Sequence, residues 1–356
     1  MWITIRALKL KLEFWHYLAI GIYASLFFPL LTFIGLGQID AVTLLLVMIA
    51  IGLAVSEKKR EIASGIFWVF ATLIKLHIGL AVFFFILRKK WKILWGYFLG
   101  GIAIIILTAL FLGPSALTNY LTKELPRVIQ YAENGTPEMK LPNSDIEKYY
   151  QDYGQGHTSG LVKNGQWFKG VHLSFAPNAS LSRFIVMRLQ DMNKNWQPSA
   201  SLMSLILLAL LLPVAYFGLK KIRMKIPTFS SDQEFLYWYA VLMVILLLGP
   251  LTWTMNTIWI IPLAALAIGR NPWSQDKMPL IPWLLLIAAL LLVFVPDCMY
   301  LGWRNFEAPS WGCKMLDSFK NIFSELLILA SISLQIGGLS FFEKKQADNS
   351  ISEKKS

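Results

Sequence analysis

The sequence predicts an all-α polytopic membrane protein, and three observations support this fold class. Hydrophobic residues make up 56% of the 356 residues and charged residues only 15%, whereas soluble domains usually carry about 25% charged residues. The mean hydropathy is +0.54. The apolar residues occur in runs of about 20, the length that a helix needs to cross roughly 30 Å of hydrocarbon. We therefore expect about 8 to 10 transmembrane helices packed in one bundle, with a long external loop.

The expected membrane spans follow the apolar runs along the chain. They lie at 15–35, 41–55, 62–87, 92–112, 199–219, 234–250, 254–269, 280–296 and 322–342. The run at 62–87 is unusual because Lys75 and His77 lie in its middle. An ionisable residue at the bilayer centre costs about 2.5 to 3.5 kcal/mol. We therefore interpret this run as a hairpin of two short helices, 62–74 and 78–87, with Lys75 and His77 at the turn.

The distribution of basic residues predicts the topology independently. Short cytoplasmic loops collect Lys and Arg, and the basic clusters of this chain lie at 6–11, 58–60, 88–92, 220–225 and 344–345. All five fall on one side only if the chain crosses the membrane twice between the second and third cluster, as the hairpin requires. We expect a multi-pass protein of the cell (inner) membrane with both termini cytoplasmic.

The net charge of +12 has the same explanation. Basic loops set the topology and attract anionic membrane lipids, so no nucleic-acid partner is expected. The predicted organisation is a set of N-terminal membrane helices, an external cap, C-terminal membrane helices and a cytoplasmic tail, at 1–112, 113–198, 199–342 and 343–356.

Both cysteines, Cys298 and Cys313, fall in the last predicted external loop, 297–320. The extracytoplasmic side of a bacterium is oxidising, so a disulfide that closes this loop is one interpretation, and two free thiols are the other.

Motifs of the familiar soluble enzymes do not occur in the sequence. It contains no G-x-G-x-x-G, Walker, G-x-S-x-G or H-E-x-x-H motif. The four histidines do not have the spacing of metal ligands. We therefore expect neither a metal site nor a cofactor.

A series of small motifs carries the functional signal. In order they are GlyGlnIleAsp at 37–40, an apolar segment with small residues that ends in a lysine and a histidine at 65–77, ArgLysLysTrpLys at 88–92, AsnAlaSerLeuSerArg at 178–183 and LeuGlyProLeuThrTrp at 248–253. This series resembles bacterial polyprenol-phosphate-mannose-dependent α-1,2-mannosyltransferases, members of the GT-C superfamily. The resemblance implies a GT-C-like membrane glycosyltransferase that uses a polyprenol-phosphate sugar donor and a lipid or glycan acceptor on the extracytoplasmic face.

The resemblance also implies roles for charged residues. A cation must stabilise the departing phosphate, and Lys75 with His77 is the first candidate. The alternative for Lys75 is a structural lysine that pairs with Asp40 or caps the carbonyls of a broken helix. Arg183 is the second candidate, against the alternative of a solvated loop residue. Asp40 fits a helix cap, but it could bind an acceptor hydroxyl or act as the catalytic base.

Further residues of the same motifs are assigned to substrate binding. Asn178 and Ser180 are candidates for hydrogen bonds to sugar, or for capping the segment that begins near Leu181. Trp253 is a candidate for stacking on a sugar, although tryptophan is also common at membrane boundaries. Gln38 and Asn256 complete the expected binding set.

The chain departs from the family pattern in two places. Thr254 and the three residues after it stand where the family usually has a charged residue and one or two histidines. GT-C enzymes also carry a catalytic acid in the first external loop, whereas residues 1–36 contain Glu13 as their single acidic residue. The expectation is that the chain lacks the N-terminal helix and acidic loop of the family, or has lost that catalytic role.

Two functions of other classes are kept as alternatives. The first is a transporter or flippase for lipid-linked glycans, and the second is a catalytically inactive family member. Transporters tend to have internal repeats and polar residues at mid-membrane depth, whereas the polar motifs here gather on one face. The enzyme is therefore the first hypothesis.

The topology predicts opposite sides for positions 90 and 160. In a background with Cys298→Ser and Cys313→Ser, a single cysteine at position 160 should react with an impermeant maleimide added outside the cell. A cysteine at position 90 should react only after the membrane is opened. Labelling of both positions from the same side would contradict this topology.

Overall fold

The computed structural model describes residues 1–27, 29–30, 40–56, 58–126, 162–163, 166–167, 180–192, 199–225, 229–250, 254–274, 277–296 and 311–353. These residues form a bundle of helices, with one antiparallel pair of two-residue strands, β1 (Val162–Lys163) and β2 (Gln166–Trp167). The predicted all-α polytopic class is confirmed.

The elements of the first half of the chain are α1 (Trp2–Ala7), α2 (Phe14–Leu26), α3 (Asp40–Val55), α4 (Glu61–Ile74), a 3-10 helix (Leu76–Leu80), α5 (Ala81–Leu87), α6 (Trp91–Leu112), α7 (Pro114–Asn119) and a π-helical turn (Tyr120–Glu124). The second half contains α8 (Leu181–Met192), α9 (Ala200–Lys225), α10 (Ser231–Leu248), a 3-10 helix (Thr254–Ile260), α11 (Ile261–Gly269), α12 (Leu280–Phe294) and α13 (Trp311–Glu353).

Four helices of the described chain are long and apolar enough to cross a membrane: α6, the segment Ala200–Lys220 of α9, α10, and the segment Leu316–Gly337 of α13. Shorter apolar helices stand beside them. The apolar side chains of α6 and α9 are mostly exposed, as expected for helices that face lipid. By contrast, α10 is buried on nearly every side.

The chain from α4 to α5 folds as a hairpin. Helix α4 ends at Lys75, whose backbone is extended (φ −136°, ψ 103°). The two arms lie side by side, since the Trp68 ring is 5.5 Å from the Phe85 ring. Glu61 at the start of α4 pairs with Lys90 just beyond α5, with 3.2 Å between Oε1 and Nζ. The hairpin therefore begins and ends at the same end of the bundle.

Buried charges join this hairpin to α10. Glu234 accepts from Arg88 (2.6 Å) and from Lys90 (2.9 Å), and the indole N–H of Trp238 donates to the same carboxylate at 3.1 Å. Nearby, Arg270 at the end of α11 pairs with Asp232 in the first turn of α10. We call this end of the bundle the basic end.

The last helix begins earlier than the sequence predicts, at Trp311 instead of position 322. Its first turns carry polar residues at helical spacing, and these are buried inside the bundle, as Asp317, Asn321 and Ser324 show. A search for apolar runs rejects such a segment because polar residues lower its score. The search does not take into account that these side chains point into the bundle. Cys313 lies in this helix and Cys298 lies outside the described residues, so their disulfide stays a prediction.

Helices α4 and α6 touch backbone to backbone. A Cβ atom on Gly65 would lie 2.0 Å from the carbonyl oxygen of Ile93, and a Cβ on Gly96 would lie 2.0 Å from the carbonyl oxygen of Ile62. Such contacts through small residues are a common way for membrane helices to associate. No side chain larger than hydrogen fits at either position without separating the helices.

The substitution Gly96→Ala should lower the thermal unfolding midpoint of the purified protein by several degrees, because overpacking typically costs about 1 to 3 kcal/mol. Gly101→Ala on the same helix is the matched control, since its added Cβ would meet Val69 at an ordinary 3.7 Å. That control should be neutral or slightly stabilising. Equal midpoints for the two variants would contradict the close contact of α4 and α6.

Candidate functional site

An ion pair between Asp40 and Lys75 lies at the end of the bundle away from the basic end. Asp40 is the first residue of α3, where the positive end of the helix dipole favours a carboxylate. The two side chains differ in access: Asp40 is 1% exposed and Lys75 is 19% exposed. The lysine side chain is therefore partly exposed, whereas the carboxylate is enclosed by protein.

Lys75 can stand at a break in an apolar helix because its backbone groups keep their hydrogen bonds. Its N–H donates to the carbonyl of Ala71 at 2.9 Å, and its own carbonyl accepts from the N–H of Ile78 at 3.0 Å. Broken helices are tolerated within membranes where such bonds are restored. The break directs the lysine side chain to Asp40 on the neighbouring helix.

His77 and Trp259 form the next layer of the site. Their ring centroids are 6.1 Å apart, and the planes are tilted by 31°. The carbonyl of Trp259 accepts a hydrogen bond from the hydroxyl of Tyr239, which fixes this part of the 3-10 helix against α10. His77 Nε2 and Trp259 Nε1 are buried, and neither has a hydrogen-bond partner within the described ranges. Buried polar atoms of this kind are unusual in folded proteins and call for a physical explanation, such as a bound ligand.

Three serines connect two of the motifs singled out in the sequence. Ser182 donates to the carbonyl of Gly249 at 2.9 Å, and Ser204 donates to the Ser182 hydroxyl at 3.0 Å. The hydroxyl of Ser180 also bonds to the carbonyl of Gly249, and it accepts from the N–H of Arg183 at 3.2 Å. These bonds satisfy the C-terminal end of α10 and the N-terminal end of α8, which supports the capping interpretation of Ser180.

A comparison with known protein families identifies the family of the chain. A model of glycosyltransferase family 87 matches residues 1–213. The chain belongs to glycosyltransferase family 87. No curated protein and no solved structure shows significant similarity to it. The family and the apolar helices together make the chain a membrane glycosyltransferase.

The matched region of family 87 contains Asp40, Lys75 and Arg183. Arg183 lies on α8 with 2% of its surface exposed, so the alternative of a solvated loop residue does not fit. Of the other predicted binding residues, Gln38, Asn178 and Trp253 lie outside the described residues. Asn256 belongs to the 3-10 helix Thr254–Ile260, and its side chain is not among those described.

Sequence reasoning missed a polar row on α13 of this family 87 enzyme. Its buried members include Asp317, Lys320, Asn321, Ser324, Glu325, Ser331 and Gln335. Both carboxylate oxygens of Glu325 are buried without a hydrogen-bond partner among the residues that the structure covers. The available signal was the repetition of polar residues every three or four positions, which marks one face of a helix.

Metal binding has no support among the described residues. No three His, Cys, Asp or Glu side chains of that part of the chain lie close enough together to hold a metal ion.

The Asp40–Lys75 pair should couple strongly in a double-mutant cycle on the family 87 protein. Lys75→Met leaves a buried carboxylate without its partner, which typically costs about 3 to 5 kcal/mol. Adding Asp40→Asn removes that charge and should restore most of the lost stability. Thermal unfolding of the four proteins in detergent measures this. If the stability lost by the double variant equalled the sum of the losses of the two single variants, the side chains would be uncoupled and the pair would not exist in solution.

Proposed function

We propose that this family 87 enzyme transfers a mannosyl or other hexosyl residue from a polyprenol-phosphate donor to a lipid or glycan acceptor on the extracytoplasmic face of the cell membrane. The observation that carries the proposal is the ion pair that holds the ammonium group of Lys75, whose side chain is 19% exposed, against the enclosed carboxylate of Asp40. The choice of donor and sugar rests on the resemblance of the motifs.

The sidedness follows from the position of Lys75. The positive-inside rule assigns the basic end to the cytoplasm. Lys75 lies one hairpin arm away, and the 14 residues of α4 span about 21 Å at 1.5 Å per residue. In a hydrocarbon core of roughly 30 Å, that length places Lys75 in the extracytoplasmic half, on the side where a lipid-anchored phosphate and a water-borne or lipid acceptor are proposed to meet.

The reaction needs a cation as well as a base. The acceptor oxygen forms a bond to the anomeric carbon while the bond from that carbon to the phosphate oxygen breaks. The bonding electrons leave with the polyprenyl phosphate, and the hydroxyl proton passes to a base. Negative charge therefore grows on the leaving phosphate, and a fixed cation such as Lys75 stabilises that charge most in the transition state.

Asp40 acts in this proposal as a positioning residue. Its carboxylate is 1% exposed and already pairs with Lys75, so the proposal assigns it no proton transfer. The ion pair instead holds the ammonium group in one orientation. This role differs from that of a catalytic base, which the sequence left open for Asp40.

His77 and Trp259 are proposed to bind the polar part of the donor. Their ring nitrogens, Nε2 and Nε1, are buried without partners in the described chain, beside the Lys75 turn. An indole N–H only donates a hydrogen bond, whereas an imidazole nitrogen donates or accepts according to its tautomer. A phosphate oxygen or a sugar hydroxyl would satisfy both groups.

The transporter alternative draws on the polar row of α13, because buried polar residues in membrane helices often line pathways. Two hydroxyls of that row donate to carbonyls of the adjacent helix α12: Ser324 to Ala289 at 2.9 Å and Ser331 to Pro282 at 2.7 Å. Lys320 bonds the carbonyl of Val295 in the same way. These contacts join two helices and leave less of the row for a pathway, so the enzyme remains the preferred function.

The test is sugar transfer by the purified protein with a radiolabelled polyprenol-phosphate mannose and a glycolipid acceptor. The Asp40→Asn, Lys75→Met variant keeps the site uncharged and folded but removes the cation. Its kcat/KM should fall by about 10² to 10³, the range found when one electrostatic stabiliser is lost. Lys123→Met changes an exposed lysine near the start of the predicted external segment 113–198; it is the control and should retain full activity.

The single variant Asp40→Asn separates the two roles of this carboxylate. A positioning role predicts a moderate loss, with Lys75 still present, whereas a catalytic base predicts a loss as large as that of the double variant. Transfer from a nucleotide sugar in place of the lipid-phosphate donor would overturn the proposed donor class. Unchanged transfer by the double variant would remove Lys75 from the site.

A further inference from the structure

A cavity lies at the basic end, far from the Asp40–Lys75 site. Its volume is about 720 Å³, and it lies between α1, α3, the turn that follows α3 and the start of α10. Four of its lining residues are cationic: Arg6, Lys9, Lys58 and Arg60. The proposed transferase chemistry uses none of these residues.

The walls of the cavity combine apolar and basic surface. Trp2, Ile3 and Leu53 line the apolar part. Helix α1 packs closely on α3 here, since a Cβ on Gly52 would lie 2.9 Å from Cγ2 of Ile3. Trp2 is 67% exposed, as is common for tryptophan at the level of lipid head groups. The cavity therefore offers a hydrophobic floor beneath a rim of positive charge.

The backbone around the rim adopts conformations that side chains normally avoid. Lys9 has φ 49° and Lys59, between Lys58 and Arg60, has φ 38°. This left-handed region favours glycine and asparagine and costs a lysine of order 1 kcal/mol. Both turns thus carry a lysine in a backbone conformation that glycine adopts at lower energy. Both turns also place cationic side chains around the same cavity.

Three of the four rim cations have no acidic partner within the described part of the chain. Arg6, Lys58 and Arg60 form no ion pair there, while the nearby carboxylate of Asp232 is engaged by Arg270. Like charges that surround one cavity repel each other, and a bound anion removes that repulsion. The occupant that fits the cavity is therefore anionic at one end and apolar at the other.

We propose that this cavity binds an anionic phospholipid of the inner leaflet. The phosphate of the head group lies among Arg6, Lys58 and Arg60, and the glycerol and upper acyl chains lie along Trp2, Ile3 and Leu53. Basic pockets between membrane helices on the cytoplasmic side are suited to such head groups. Because the bound lipid contacts α1 and α3 together, it stabilises the folded protein by mass action.

The experiment compares the protein in nanodiscs of phosphatidylcholine alone and of phosphatidylcholine with phosphatidylglycerol. Phosphatidylglycerol should raise the unfolding midpoint of the wild type and remain bound to it in native mass spectrometry. In Arg6→Gln, Lys58→Gln, Arg60→Gln, lipid binding should weaken by about a hundredfold, since each basic residue contributes roughly fivefold to the attraction of an anionic lipid. This variant should lose the midpoint shift.

The matched control is Lys89→Gln, Lys92→Gln, Lys220→Gln, which removes the same charge from exposed lysines outside the cavity. It should bind phosphatidylglycerol as the wild type does. Equal weakening in both triple variants would overturn the proposal in favour of diffuse attraction to the surface. If the first triple variant folds poorly in phosphatidylcholine, Lys58→Gln, Arg60→Gln provides the same comparison with α1 intact. A midpoint shift produced by soluble glycerol phosphate alone would assign the cavity to a free anion instead.

Discussion

Glu234 forms ion pairs with two cationic side chains of the turn between α5 and α6. The position of the hairpin depends on these ion pairs. Arg88 and Lys90 reach the carboxylate from the two sides of that turn, and Lys90 also meets Glu61 at the start of the hairpin. Both ends of the hairpin are thereby attached to the most buried helix of the bundle. The turn at Lys75 must then lie at the far end, next to the start of α3.

Two of the buried ionic groups in the described part of the bundle differ in how many of their hydrogen bonds are made. At the basic end, Glu234 accepts from two cations and from the indole of Trp238, an arrangement that compensates the cost of taking charge out of water. At the other end, the Asp40–Lys75 pair stands beside two buried ring nitrogens, of His77 and Trp259, that have no partner in the described chain. A network in which every polar group has a partner stabilises the fold. A network with unpaired polar groups can bind a ligand that supplies the missing partners.

Local patterns in the sequence predicted the parts of the fold that depend on local physics. The class followed from the lengths of the apolar runs, and Lys75 within one of them marked the break between α4 and the 3-10 helix. Other features depend on partners far away in the chain. Arg88 finds Glu234 across 146 positions, and Ser180 finds Gly249 across 69. Neither partner is visible from spacing, and the polar face of α13 is invisible to a search for apolar runs because burial depends on direction.

The contact of Gly65 with α6 and of Gly96 with α4 has a mechanical consequence. No side chain separates the two backbones at these positions. The hairpin and α6 therefore form one rigid unit, because sliding of either helix would bring side chains of one against the backbone of the other. Any widening of the gap beside Lys75 during a catalytic cycle must then come from α3 or from the 3-10 segment that holds Trp259. The helix that leads to the cation is thus fixed to α6, and its carboxylate partner Asp40 belongs to a separate helix.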